Sequence, residues 1–166
     1  MSTVGILGLG LIGGSFAKAY HAAGWTVLAA DRDAAILSFA QMSGAVDRTL
    51  GAENAAQCDL ILACICPEAA IAELTGLAPH IGEKPVVIDC CGTKRVVCEA
   101  LFPVAEQYGF TYLGGHPMAG SEQSGYTSAH ADLLCGAKYV ITPSAHTSKE
   151  HLDAYVELVK DIKAVP

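Results

Sequence analysis

Apolar residues in this chain form short continuous runs, separated by longer segments where they recur every three or four positions. Short continuous runs read as strands buried on both faces, and the three-to-four spacing reads as amphipathic helix. Thr3–Leu7 is the first such run, and Leu11–Ala23 is the first helical segment, stopped by Gly24. Thr26–Asp31 predicts a second strand and Asp33–Ser43 a second helix ending before Gly44. Leu60–Cys64 predicts a strand entered from polar Gln57-Cys58-Asp59. Pro67 then opens a helix to about His80, at a position where a proline's missing N–H is no loss. Pro85–Asp89 is the next strand and Thr93–Tyr108 the next helix, closed by Gly109. Thr111–Leu113 and Lys138–Thr142 read as further strands. Thr147-Ser148-Lys149-Glu150 has capping-box spacing and starts a last helix, and Ala164-Val165-Pro166 reads as the beginning of another element. This alternation predicts an α/β fold with a doubly wound, mostly parallel sheet and helices on both faces, spanning residues 1–166 as one domain.

The first strand-to-helix turn carries the first candidate chemistry. Gly8-Leu9-Gly10-Leu11-Ile12-Gly13 fits G-x-G-x-x-G between a predicted strand and a predicted helix, the context in which the pattern binds dinucleotides. Gly8 permits the tight turn, Gly10 lets a pyrophosphate approach the backbone, and Gly13 lets helix and strand pack closely. The amides of Leu11, Ile12 and Gly13, at the helix start, face the phosphates. Asp31, at the end of the second strand, accepts hydrogen bonds from an adenosine ribose and repels a 2′-phosphate, which favours NAD over NADP. Arg32 beside it is the group that would tolerate that phosphate. Cys66 and Gly92, just past the strands ending at Cys64 and Asp89, complete the candidate cofactor-binding set. The fold expectation is therefore a Rossmann-type domain with NAD as cofactor.

Composition narrows the function classes. Hydrophobic residues make up 52% and charged residues 16%, which excludes disorder for most of the chain. The net charge is −7 and no Lys/Arg cluster occurs, so nucleic-acid binding lacks an electrostatic basis. No apolar run reaches the ~18 residues of a membrane span. The apolar stretch Val4–Ala17 contains five glycines and no basic segment before it, unlike a signal peptide. The seven cysteines are an odd number, and several lie in apolar runs, which reads as reduced thiols and a cytoplasmic protein. Cys64-Ile65-Cys66 and Cys90-Cys91 lack the spacing and the neighbouring histidine of a zinc site, so no metal is expected.

The second constellation runs from Gly114-Gly115-His116-Pro117 to Gly125, read as a loop after a strand's carboxyl end, where α/β sheets place their sites. His116 is the one histidine in such a setting and is a candidate general base. His21, His80, His130, His146 and His151 lie on or beside helices or in polar stretches.

Gly8 through Ser15, Asp31 and His116-Pro117-Met118-Ala119-Gly120-Ser121-Glu122 together resemble the prephenate/arogenate dehydrogenases of tyrosine biosynthesis, over Val4 to Lys163. The resemblance implies an NAD-dependent oxidative decarboxylation of prephenate to 4-hydroxyphenylpyruvate, with His116 as base on the ring hydroxyl. It places Ser121 and Glu122 in the substrate pocket. Arogenate is the alternative substrate. A β-hydroxyacid dehydrogenase-like reductase and a non-catalytic NAD-binding module are the rival readings, and His116 and the string after it argue against both. The family's Asp-x-x-Ser-x-Lys reads Asp89-Cys90-Cys91-Gly92-Thr93-Lys94 here, so Gly92 replaces a serine that supports the histidine. Thr93, one residue away, either substitutes for that serine or caps the next helix, and Lys94 either meets an anionic ligand or lies on the surface. The resemblance also implies a following helical domain that supplies a substrate-binding arginine and makes a homodimer. This chain is then the cofactor-binding half, expected to be inactive alone.

Overall fold

The computed structural model describes residues 1–164. Its centre is one seven-stranded sheet in the order β3-β2-β1-β4-β5-β6-β7. The strands are β1 (Thr3–Leu7), β2 (Thr26–Ala30), β3 (Arg48–Thr49), β4 (Leu60–Ala63), β5 (Val86–Asp89), β6 (Thr111–Pro117) and β7 (Tyr139–Thr142). The helices are α1 (Leu11–Ala22), α2 (Ala34–Met42), α3 (Pro67–Leu77), α4 (Arg95–Tyr108) and α5 (Lys149–Lys160). All neighbouring strands pair in parallel except β6 and β7, which are antiparallel. This is the doubly wound Rossmann arrangement expected from the alternation, with its order reversing between β1 and β4.

Alternate residues of each central strand enter opposite cores, as the two-residue period of a strand requires. Val4, Ile6, Leu60, Leu62, Val86 and Ile88 join one core with Phe16 and Tyr20 of α1 and Tyr155 and Val159 of α5. Leu7, Ile61, Ala63 and Val87 join the other, with Ala70 and Leu74 of α3 and Val97 and Leu101 of α4. Both faces are therefore apolar, which is why the strands read as unbroken runs.

The boundaries depart from expectation in instructive places. β6 continues to Pro117, four residues past the predicted end at Leu113, because it gains a partner: Gly114, Gly115, His116 and Pro117 pair with Thr142, Ile141, Val140 and Tyr139. A pairing this remote in sequence leaves no local signal, and Gly-Gly-His-Pro reads as loop. β3 is two residues long and carries no periodicity. The α4 helix starts at Arg95, with Lys94 at the N-cap, rather than at Thr93. In α5 the cap is Ser148, whose hydroxyl accepts from the His151 amide, one residue beyond the predicted Thr147. Thr147 instead bonds back to Ser144. The expected new element at Ala164-Val165-Pro166 falls largely outside the described residues.

Candidate active site

In a doubly wound sheet the carboxyl ends of the parallel strands open a crevice where the strand order reverses. Here that crevice lies between the ends of β1 and β4. It holds a groove of about 500 Å³ lined by Gly8, Gly10, Asp31, Arg32, Cys64 and Cys66 among others. The glycine loop is shaped by contacts a side chain would destroy. Gly8 has a φ of +88°, and a Cβ on Gly13 would lie 1.8 Å from the Gly8 carbonyl oxygen. A Cβ on Gly10 would meet nothing within 4 Å, because this residue faces the open groove. Gly10 is also the N-cap of α1, which receives no side-chain cap and has no acidic residue in its first turn. The helix therefore presents its first amides, from Leu11, Ile12 and Gly13, without an internal partner or a repelling charge. A dinucleotide pyrophosphate fits this end of the groove.

Asp31 stands just past the end of β2 and lines the groove. One of its carboxylate oxygens accepts from the Leu9 amide at 2.6 Å and the other from the Asp33 amide at 2.8 Å. Sequence reasoning saw only a ribose acceptor. The structure adds a second role, since the same carboxylate ties β2 to the glycine loop. Each oxygen keeps a further lone pair directed to other donors. Arg32 is exposed on the groove's rim, and Cys66 is exposed at the N-cap of α3. Gly92 lies outside this groove, exposed in the loop from β5 to α4, where a Cβ would meet nothing within 4 Å.

His116 sits at the carboxyl end of β6, on the same edge of the sheet as the glycine loop. It belongs to the strand rather than to a loop, so its backbone is held by pairing to Val140. The imidazole is half-buried, and its Nδ1 is buried with no hydrogen-bond partner among the described residues. An unpartnered buried nitrogen is a hydrogen-bonding capacity that the described residues leave unused. Ser121 and Glu122 lie beyond it in an exposed segment, where the Ser121 hydroxyl and the backbone of Gln123 bond one another. Thr93 is exposed and does not cap α4.

Beneath His116 is a cluster that sequence reasoning missed. Asp89, the last residue of β5, is fully buried. Its carboxylate accepts from the Tyr112 hydroxyl at 2.6 Å, the Cys91 amide at 3.0 Å, the Gly115 amide at 3.3 Å and the Lys94 ammonium. Lys94 donates also to the Gly115 carbonyl. Burial and the neighbouring Asp89 charge push the Tyr112 phenol far above its ordinary range, so it stays protonated and donates. Lys94 is thus neither a free surface lysine nor an uncommitted cation facing a ligand. It clamps the start of α4 to β5 and β6. The available signal was an acid ending the apolar run Val86-Val87-Ile88, because a buried acid demands a partner. A further set ties the segment after His116 to α1. Lys18 donates to the Ala129 carbonyl at 2.6 Å, and the His130 amide donates to Ser15 at 3.1 Å. Gly14 leaves room for Ala129 and Tyr126, which a Cβ there would meet at 2.8 Å.

A doubly wound sheet with a glycine loop does not by itself name a reaction. The sequence itself is more specific. The profile of the family described as prephenate dehydrogenase, nucleotide-binding domain, matches residues 16–166. The chain belongs to that family. Prephenate dehydrogenase of Lactococcus lactis subsp. cremoris is 30% identical over 156 residues, which are 92% of this chain and 44% of that protein. Among solved structures, arogenate dehydrogenase of Synechocystis superposes with a TM-score of 0.87 at 26% identity, covering 98% of this chain and 57% of that one. Prephenate dehydrogenase of Aquifex aeolicus, solved with hydroxyphenyl propionate and NAD+, gives 0.80 at 26% identity over 99% of this chain and 58% of that one. The chain spans less than half the length of the Lactococcus relative. The family match begins at Phe16, after the glycine loop, so the loop's geometry is evidence independent of it.

Proposed function

We propose that this chain is the cofactor-binding half of an NAD-dependent prephenate dehydrogenase, with His116 as its general base. The observation that carries the reading is the His116 imidazole at the end of β6, its Nδ1 buried and unpartnered, on the same sheet edge as the open glycine loop. NAD, when bound, supplies the hydride acceptor. Leu11, Ile12 and Gly13 amides hold its pyrophosphate, and Asp31 holds the adenosine ribose while keeping the glycine loop in place. Cys66 and Arg32 border the same groove. His116 takes the proton of the substrate's ring hydroxyl, and loss of the hydride on the same carbon together with carbon dioxide leaves the ring aromatic. Aromatisation supplies the driving force, so the protein's task is alignment of hydroxyl, base and hydride path.

Ser121 and Glu122 are the residues that the resemblance assigns to the substrate, and Gly92 and Thr93 lie in the exposed loop from β5 to α4. The family serine is Gly92 here, which agrees with an Nδ1 that has no hydroxyl beside it. Lys94 contributes by fixing β6 rather than by holding the substrate as a mobile cation. The substrate's two carboxylates call for cationic partners. The reading includes a cytoplasmic enzyme of tyrosine biosynthesis that dimerises through a further domain. Among the described residues no helix is long and apolar enough to cross a membrane. The deciding experiment measures NADH formation from prephenate and from arogenate, using protein that includes this chain and whatever follows it. Turnover of prephenate that His116→Asn lowers by at least ~10²-fold supports the reading. Turnover of arogenate alone moves the assignment to the alternative substrate, and turnover of neither rejects it.

A further inference from the structure

The segments around Cys64 and around Cys90-Cys91 meet in space, with Cys64 beside Cys90 and the Cys91 thiol donating to the Ile65 carbonyl. Cys64 follows the last residue of β4 and Cys90 the last residue of β5, one step beyond the register pair Ala63↔Asp89. Their Sγ atoms are 3.6 Å apart. Neighbouring strands lie about 4.8 Å apart, within the ~4.4–6.8 Å separation of Cα atoms that a disulfide spans. Closing this pair to the ~2.05 Å of an S–S bond needs a shift of about 1.5 Å, on the scale of side-chain rotation. Cys90 Sγ also lies 3.1 Å from the Tyr139 hydroxyl. Both cysteines are half-buried, and Cys64 lines the cofactor groove. Cys64 also borders the glycine loop, since a Cβ at Gly8 would lie 2.9 Å from its carbonyl oxygen and one at Gly13 would lie 3.1 Å from its Cβ.

We propose that Cys64 and Cys90 form an oxidisable dithiol in the floor of the cofactor crevice, converted by a hydroperoxide to a disulfide that loosens the grip of the glycine loop. One thiolate attacks a peroxide oxygen, the O–O bond breaks, and water or an alcohol leaves, giving a sulfenic acid on that sulfur. The second thiol loses its proton, attacks the sulfenic sulfur and expels water. Two electrons pass from the two sulfurs to the peroxide, and a dithiol reductant reverses the change. The hydrogen bond to Cys90 and burial hold the Cys64 thiol protonated, so the reaction is slower than that of an exposed thiolate. Bound cofactor covers Cys64 and slows it further. The link to cofactor binding rests on the groove's assignment to NAD, whereas formation of the disulfide does not.

The test treats reduced protein with hydrogen peroxide, blocks remaining thiols, and maps linkages by mass spectrometry while NADH affinity is read by fluorescence titration. The expected product has lost two hydrogens and contains a Cys64–Cys90 link. The link is absent in Cys64→Ser, Cys90→Ser and Cys90→Ala, present in Cys135→Ser, and formed more slowly with NADH present. The oxidised protein is expected to bind NADH at least about tenfold more weakly, a change equivalent to about 1.4 kcal/mol, and dithiothreitol restores it. Oxidation confined to Cys66 and Cys135, or a link between any other pair, overturns the dithiol. A Cys64–Cys90 link with unchanged NADH affinity overturns its control of the groove. Failure of the reduced protein to bind NADH rejects the groove assignment, and the linkage map then still decides the dithiol.

Discussion

Single side chains carry most of the proposed chemistry. His116→Asn removes the proposed base but keeps a polar residue of similar bulk. In the complete enzyme kcat is expected to fall by ~10²–10⁴-fold, with NAD affinity unchanged by isothermal titration and the acidic limb of the pH profile gone. Gly92→Ser is expected to leave stability within about 0.5 kcal/mol, because its Cβ has open space. If its hydroxyl reaches the buried Nδ1 it raises kcat, and steady-state kinetics on the variant decide whether the missing serine limits this enzyme. Asp31→Ala acts twice, removing the proposed ribose acceptor and the anchor of the Leu9 amide. Affinity for NAD and NADP is therefore expected to fall together, with NAD losing more, so the preference narrows. A loss confined to NAD would show that the anchor is dispensable. Gly13→Ala drives a Cβ into the Gly8 carbonyl and is expected to cost about 1–3 kcal/mol in chemical denaturation.

Among elements, the join between β5, β6 and α4 decides where His116 stands. Among the described residues Asp89 is a buried charge with four donors, and Lys94 is its only cationic partner. Removing one partner of a buried pair leaves the other uncompensated, so Lys94→Met is expected to destabilise by about 3–5 kcal/mol. Asp89→Leu/Lys94→Met together should cost less than Lys94→Met alone, and a double-mutant cycle by urea denaturation measures the difference. Tyr112→Phe removes one donor and is expected to cost about 1–3 kcal/mol. This join was half legible in the sequence. The strand ending at Asp89 and the helix after it were predictable from apolar runs and spacing. That a lysine five residues on would turn back to the acid and also hold a glycine carbonyl depends on the arrival of β6. The His116 segment likewise read as loop, because its strand character comes from β7, about 25 residues away.

At the scale of the whole molecule, burial of ionisable groups sets an alkaline limit. Burial pushes the Cys58 thiol from about 9 to about 11 and the Cys91 thiol to about 12. Below pH 9 both are protonated whether the chain is folded or not, and pH changes nothing through them. Above 9 the unfolded chain releases these protons first, so stability falls until the folded pKa is passed. Each thiol contributes a slope of at most about 1.4 kcal/mol per pH unit. The melting temperature is expected to hold below pH 9 and to decline through pH 11. A flat profile in that window would show that the thiols are not sealed. The free cysteines comprise three buried, two half-buried and two exposed, the exposed ones being Cys66 and Cys135. Thiol titration of native protein is therefore expected to show two fast groups, with the others appearing in denaturant. Because the groove is built within these residues and the chain spans 44% of its Lactococcus relative, a preparation of them alone is expected to bind NAD. Its turnover of prephenate is expected to be at least ~10³-fold below that of a complete enzyme, for want of groups that orient the substrate.

What the sequence determined by itself is whatever depends on neighbours along the chain. Apolar runs interrupted by helical spacing dictate a parallel sheet with two covered faces, and glycines between strand and helix dictate a turn with open amides. The acid at the end of β2 and the string from His116 to Glu122 are equally local. Tertiary structure alone decided what depends on residues far apart in sequence. It lengthened β6 by pairing it with β7 and gave Asp31 a second task at the glycine loop. It turned Lys94 inward to a buried acid and set Cys64 against Cys90. The physical reason is the same in each case. A polar or reactive side chain takes its role from the partner that desolvation makes it find, and the fold chooses that partner.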